Sequence, residues 1–276
     1  MGEYLSIDET ALSKGELYTI ITNKDAKGKK GAIVAIMAGT KVEPIIEQLL
    51  KIPKSKRNKV KEITLDMANS MKFIAKKCFP KALQVTDRFH VQKLALEALQ
   101  DIRIKHRWEA IDLENEQIKE AKTKQIQFKP ETFYNGDTRK QLLARSRYLL
   151  YKAPNNWTQN QYIRSKILFN HYPDIKKAYD LVQGLRNIFN TATSVQTAYT
   201  KLAHWYKDVE KTGFKAFNTI VNTITINYRS ILNYFINRST NASAESFNAK
   251  IKAFRAQFRG VKNVEFFLFR LTRIFA

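Results

Sequence analysis

The sequence predicts an α/β protein: a mixed sheet of antiparallel and parallel strands, interrupted by a large all-helical insertion. Three observations carry this. Short, β-branched apolar runs alternate with helical patterns through residue 91. The strand signal is then missing from about residue 92 to 238, where long amphipathic stretches take over. The chain of 276 residues also exceeds the usual size of one hydrophobic core, so one large domain with an insertion, or two domains, is expected.

Residues 4–10 (YLSIDET), 17–23 (LYTIITN) and 31–38 (GAIVAIMA) read as strands, and DAKGKKG between the last two has hairpin-turn chemistry. This is a three-stranded antiparallel meander. VEPIIEQLL follows at helical spacing, then the polar loop KIPKSKRNK, the strand KEITLD, the helix MANSMKFIAKKCF and the strand ALQVTD. Strands that pair first by hairpins and then through crossover helices make a mixed sheet with helices packed on it. RNase H-like folds have this order.

Beyond it, helices are expected over 92–124, 138–152, 158–170, 174–190, 194–211 and 215–236. The one long irregular connection, 125–137, carries Pro130 and Gly136 as breakers. The expected division is therefore a sheet domain from 1–91 and 239–276, and a helical insertion domain from 92–238.

The chain holds 48 Lys and Arg against 25 Asp and Glu, a formal charge of +23. Such an excess normally meets a polyanion, and nucleic acid is the first candidate; the bland alternative is a basic surface with no chemistry. Cys78 is the only cysteine, which excludes an internal disulfide framework and a CxxC zinc site and fits a reducing cytoplasm. MGEYLSIDET is acidic where a signal peptide is basic, and no run approaches the roughly 18 apolar residues of a membrane span. A soluble, unexported protein without a membrane partner is expected.

Asp8 follows Leu5 and Ile7 in a strand with apolar flanks, and a carboxylate there needs a cation or a metal close by unless it caps a turn. Asp66 repeats the arrangement at the end of KEITLD, where an ordinary helix N-cap is the alternative. With the first and fourth strands side by side, the two come within reach of shared ions. Two hard cations, Mg²⁺ or Mn²⁺, held about 3.5–4 Å apart by carboxylates clamp both oxygens of an in-line phosphoryl displacement. Glu245 supplies a third carboxylate in NASAESFNAKIKAFRAQFRG, a helix with Asn241 or Ser243 as its cap. Phe247, Ile251, Phe254 and Phe258 form its docking stripe. Glu245, Asn248, Lys252, Arg255 and Arg259 share another stripe, read as facing DNA or, alternatively, solvent. Convergence of the three carboxylates within about 4–8 Å is expected of a two-metal site.

SIDET, LDMANSMKFIAKKCFPKALQVTDRFHVQKL and RSTNASAESFNAKIKAFRAQFRGVKN resemble the three blocks of the ISL-three family of insertion-sequence transposases, in particular its ISAon-type subgroup. The resemblance implies that Asp8, Asp66 and Glu245 are DDE metal ligands and that the helical block is inserted before the glutamate helix. It implies a DNA transposase catalytic subunit: hydrolysis at transposon ends, 3′-OH strand transfer into target DNA, two Mg²⁺ or Mn²⁺ ions, and a homodimer or larger assembly on DNA at the bacterial nucleoid. No zinc ribbon or helix-turn-helix precedes SIDET, as in the ISAon-type subgroup, so a separate N-terminal end-binding protein is expected.

Asp87 and His90, with Arg88 between them in TDRFHV, resemble the C/DxxH motif of transposases with such insertions; the alternative makes Asp87 an N-cap and His90 a buried imidazole. Trp108, Trp157 and Trp205 are candidates for stacking on unpaired bases or else core residues. The basic loops 27–31 and 51–59 read as phosphate contacts or solvated loops. Two rival functions stay open: another RNase H-like nuclease of the resolvase type, and an inactive DNA-binding remnant.

Overall fold

Apolar alternation makes Tyr4–Ala11 a strand (β1), buried at Leu5, Ser6 and Ile7 in the computed structural model, which describes residues 1–12, 15–258 and 263–276. Strand β2 (Leu17–Asn23) is buried from Tyr18 through Thr22, the burial of an interior strand, and β3 (Ile33–Ala38) completes the antiparallel meander. The turn between them needs the left-handed backbone of Lys27 and Gly28, at φ 48° and 70°. Helices α1 (Val42–Leu50) and α2 (Lys54–Arg57) lead to β4 (Glu62–Leu65); α3 (Asn69–Cys78) then crosses to β5 (Leu83–Thr86). Both β1–β4 and β4–β5 pair in parallel, so the five-stranded sheet runs β3-β2-β1-β4-β5. This is the mixed, RNase H-like order that the sequence predicts.

The remaining helices are α4 (Arg88–Thr123), α5 (Arg139–Arg145), α6 (Arg147–Tyr151), α7 (Gln159–His171), α8 (Pro173–Thr191), α9 (Val195–Thr212), α10 (Lys215–Ile226), α11 (Tyr228–Leu232), α12 (Tyr234–Asn237), α13 (Ala242–Gln257) and α14 (Val264–Phe275). One compact unit comprises Met1–His90 with Ile226–Ala276, the other Val91–Thr225. Residues 226–238, expected in the insertion, belong with the sheet. Their polar side chains explain this: Thr86 Oγ1 donates to Ser230 Oγ at 2.8 Å, and Asn233 Nδ2 donates to the Gln84 carbonyl at 2.8 Å. Edge strand β5 is thereby covered instead of presenting open backbone groups.

Within the sheet unit each face has its own layer. Leu5, Ile7, Ile21, Ile63 and Leu65 pack against Ile45 and Leu49 of α1 and Met71, Ile74 and Cys78 of α3. The opposite face, at Tyr18, Ile20 and Ile33, packs against Phe247 and Ile251 of α13 and Phe267 and Leu271 of α14. Each such buried apolar side chain contributes roughly 1.5–3 kcal/mol. Helix α14 has no counterpart among the expected elements, although its signals are local: Asn263 Oδ1 accepts from the Phe266 N–H and caps it. The loop 51–59 exposes Lys51, Lys54, Lys56 and Lys59 and turns Arg57 inward. Arg57 is buried in it, and its Nε and Nη1 donate to the carbonyls of Ile52 and Cys78 at 2.9 and 2.6 Å.

The helical unit starts its elements with local signals. Thr138 with Gln141 and Thr158 with Gln161 form capping boxes for α5 and α7. Asp137, fully buried, ends the irregular connection by pairing with Arg145 and, at 2.8 Å, with Arg164. Burial alone would raise its pKa, but the hydrogen bonds of the two guanidiniums win and hold it below the usual carboxylate range. Of the three candidate stacking tryptophans, Trp205 is core and Trp157 is half-buried against other aromatic rings. Trp157 Nε1 donates to the Leu149 carbonyl and its ring packs with Phe169 and Tyr179, while Trp205 is buried and donates to the Leu181 carbonyl. Trp108 is 62% exposed.

Candidate active site

Register places the first two carboxylates together. Ser6 on β1 pairs with Thr64 on β4, and the same offset carries Asp8 opposite Asp66 just past the end of β4. Leu65 pairs with Thr86, so Asp87 continues the row beyond β5. Asp66 and Asp87 thus stand just past the carboxyl ends of β4 and β5, and Asp8 stands level with them within β1, where its parallel pairing with β4 has ended, at the edge where open α/β sheets bind ligands. Alternation then selects the face. Leu5, Ile7, Ile63 and Leu65 belong to the layer of α1 and α3, so Ser6, Asp8, Thr64 and Asp66 fall on the side of α13.

Helix α13 is bolted to that face at its start. The Asn241 N–H donates to Asp87 Oδ2 at 2.7 Å, Ser6 Oγ donates to Asn241 Oδ1 at 2.6 Å, and Asn248 Nδ2 donates to Asp8 Oδ2 at 2.6 Å. Asn241, one of the two residues expected as the cap, occupies the N-cap position, but its side chain makes no cap bond because its oxygen is committed to β1. Glu245 lies in the first turn, where the helix dipole favours a carboxylate, three residues before Asn248 and on the same side of the helix. It is exposed.

The charges sense one another. Burial pushes the Asp8 carboxyl above its ordinary pKa; the Glu9 N–H and His90 oppose this, and Asp66 and Glu245 add to it. Glu9 is also raised, by burial and then by Asp66 and Asp8. Burial lowers Lys72, against the pull of Asp66. Even so, among the described residues no three His, Cys, Asp or Glu side chains stand close enough together to share one ion. Asp66 and Glu245 nonetheless lie near enough to Asp8 for their charges to act on it. The donor set is hard oxygen throughout, and the buried Asn248 Oδ1 beside Asp8 accepts no hydrogen bond. These donors fit Mg²⁺ or Mn²⁺ and not a soft metal.

The supporting residues divide. Asp87 is buried with both oxygens engaged: Oδ1 caps α4 through the Phe89 N–H at 2.9 Å, and Oδ2 holds Asn241. His90 donates its backbone N–H to the Asp87 carbonyl and lies near enough to Asp8 to act on its charge. The Arg88 guanidinium sits 5.9 Å from the centre of the Tyr234 ring. Lys252 is exposed. Arg255, expected on a DNA-facing stripe, is instead buried: Nη2 pairs with Glu16 at 3.3 Å and the guanidinium covers the Phe267 ring. A desolvated, paired guanidinium cannot also meet a phosphate. Arg259 lies outside the described residues. Ser6, Glu9 and Lys72 escaped the sequence reading; Ser6 and Glu9 carry the signal of flanking Asp8 in one strand, whereas nothing local marks Lys72.

A family model described as a transposase, the ISL-three member of the DDE type, matches residues 5–271. The transposase for insertion sequence element IS1001 of Bordetella parapertussis is 23% identical over 276 residues, which is 99% of this chain and 61% of that protein. The chain thus spans about three fifths of the length of this curated relative. No solved structure matches.

Proposed function

This chain belongs to the ISL-three family of DDE transposases, and from that premise we propose that it is a catalytic transposase subunit in which Asp8, Asp66 and Glu245 are the metal ligands. One observation carries the reading: by the β1–β4 register Asp8, within β1, stands level with Asp66 just past the carboxyl end of β4, and the helix bearing Glu245 is hydrogen-bonded to Asp8 itself. The ions held would be a pair of Mg²⁺ or Mn²⁺, which would stabilise the charge of an in-line displacement at phosphorus. The residues of the chain supply everything around that event. Asp8, Asp66 and Glu245 offer hard anionic oxygens, Asn248 orients Asp8, and Asp87 holds the start of α13 against the sheet. His90 stands beside Asp8, where it meets the scissile strand.

The reaction is hydrolysis of a phosphodiester at a transposon end, which leaves a 3′-OH, followed by attack of that hydroxyl on a target phosphodiester. The first target nucleotide's 3′ oxygen leaves in the second step. No covalent bond to the protein forms. The net charge of +23 supplies the long-range attraction for DNA.

The test incubates the chain with Mg²⁺ and DNA carrying its element's ends, with and without the product of any adjacent small open reading frame. Cleavage followed by joining is the expected result, lost in Asp8→Asn, Asp66→Asn and Glu245→Gln. Cleavage of branched DNA without joining would instead make it a resolvase-type nuclease, and DNA binding that never leads to metal-dependent cleavage would make it an inactive remnant.

A further inference from the structure

Helix α4 carries a second apolar stripe that its own unit does not use. Ala95, Leu99, Arg103, Ala110 and Ala121 are buried on one side. On another side Ile104, Trp108, Ile111, Asn115 and Ile118 succeed one another at steps of four and three residues, the spacing of alternating d and a positions in a heptad. Ile104, Trp108 and Ile118 are exposed by 39%, 62% and 40%. At about 100° per residue this stripe lies roughly a quarter-turn or more from the buried one, so packing within the unit does not cover it. From Ile104 to Lys122 it runs about 27 Å at 1.5 Å per residue.

We propose that this face is a homodimer interface, in which α4 of one copy pairs with α4 of a second copy as a short parallel coiled coil. The flanking charges argue for a second copy as the occupant. With Ile104, Ile111 and Ile118 at d, the g positions are Arg107 and Glu114 and the following e positions are Asp112 and Lys119. In a parallel, in-register pair each g meets the partner's next e, so Arg107 faces Asp112 of the second copy and Glu114 faces Lys119 of the second copy. Both pairs are attractive, and symmetry makes each occur twice. Arg107, Asp112 and Lys119 form no ion pair among the described residues, whereas Glu114 also holds Lys140. Asn115 falls at a, the position where one asparagine selects a parallel dimer in register because it meets its own copy across the axis. An antiparallel pair would set it against isoleucine. Trp108, also at a, supplies the large desolvated side chain typical of an interface anchor.

The inference deepens the reading of a transposase that joins two DNA ends, since two ends call for two catalytic centres, but its test needs no catalysis. Sedimentation equilibrium of the full chain without DNA or metal should show a monomer–dimer equilibrium. Trp108→Glu should raise the dissociation constant roughly tenfold or more, with an unchanged thermal melt at concentrations where parent and variant are both monomeric, because the side chain is exposed in the monomer. Arg107→Glu should weaken the dimer, and adding Asp112→Arg should restore it. Positions 107 and 112 lie on different sides of one helix, so this rescue occurs only between copies. Asn115→Cys should form a disulfide-linked dimer on oxidation, with the buried Cys78 inert. A chain that stays monomeric, or a dimer indifferent to Trp108→Glu, overturns the proposal. Loss of DNA binding in Trp108→Glu without any change in association would assign the stripe to DNA. Repeating the measurement on Asp8→Asn separates the two readings, because the dimer should persist where cleavage is lost.

Discussion

Asn248 Nδ2 donates to Asp8 Oδ2 at 2.6 Å, linking a helix to a strand 240 positions away in the chain. The bond makes the position of Glu245, one turn earlier on α13, depend on the rotamer of Asp8. Asn248→Ala should therefore weaken metal binding by about 10–100-fold, the usual effect of removing a residue that orients a ligand. Cleavage measured against Mg²⁺ concentration checks it: excess Mg²⁺ should recover much of the Asn248→Ala rate and none of the Asp8→Asn rate. An unchanged Mg²⁺ dependence would remove Asn248 from the site.

The raised pKa of Asp8 has a consequence for stability. Burial, Asp66 and Glu245 disfavour its ionised form. A carboxyl raised on folding contributes stability that is fully present below the ordinary carboxylate range and is lost as pH rises through the higher folded value. Without metal at pH 7, Asp8→Asn should consequently melt higher than the parent, and the gap should close as the pH is lowered into the carboxylate range. Mg²⁺ should raise the melting temperature of the parent alone. A lower melting temperature for Asp8→Asn at pH 7 sinks the argument.

Asp66 and Asp87 should separate cleanly. Asp87→Ala removes a helix cap, about 0.5–2 kcal/mol, and orphans the buried Asn241 N–H, about 1–3 kcal/mol, so a stability loss of several kcal/mol is expected in urea unfolding. Asp66 accepts only the Ala68 N–H at 2.8 Å among the hydrogen bonds of the described residues. Asp66→Asn should leave the urea midpoint nearly unchanged while cleavage is lost. If Asp87→Asn abolished metal binding and Asp66→Asn still cut DNA, the second ligand would be Asp87.

Lys252 and Arg255, three residues apart on α13, should also behave differently. Lys252→Ala should reduce the log–log dependence of DNA affinity on salt by about 0.9, one phosphate contact on duplex, with an unchanged melt. Arg255→Ala strips Glu16 of its partner and uncovers Phe267, so it should unfold earlier, with a salt dependence like the parent's. Equal salt slopes for the parent and Lys252→Ala would take Lys252 out of the DNA interface.

Local pattern was enough for the strands, for the helices other than α2 and α14, and for the placement of Asp8 and Asp66. Alternation in YLSIDET and in EITLD sets the strands, and one shared offset puts Asp8 opposite Asp66 on the α13 side of the sheet. Capping residues and period 3.6 likewise mark the helices of 139–212. What periodicity leaves open is the partner of each face. A stripe holding Glu245, Asn248, Lys252 and Arg255 looks uniform along one helix, yet the fold buries Asn248 and Arg255 and leaves Glu245 and Lys252 exposed. Glu16 and Asp8, which claim the two buried side chains, lie more than 230 residues away in the chain. The same holds for Asn241, taken from its helix end by Ser6, for residues 226–238, drawn to the β5 edge, and for Trp205, enclosed by helices that no local signal brings together. Hydrogen-bond and charge partners distant in sequence are chosen only when the chain is packed, so the sequence by itself determined the framework, and the tertiary structure decided which polar groups are bolts and which stay exposed at the site.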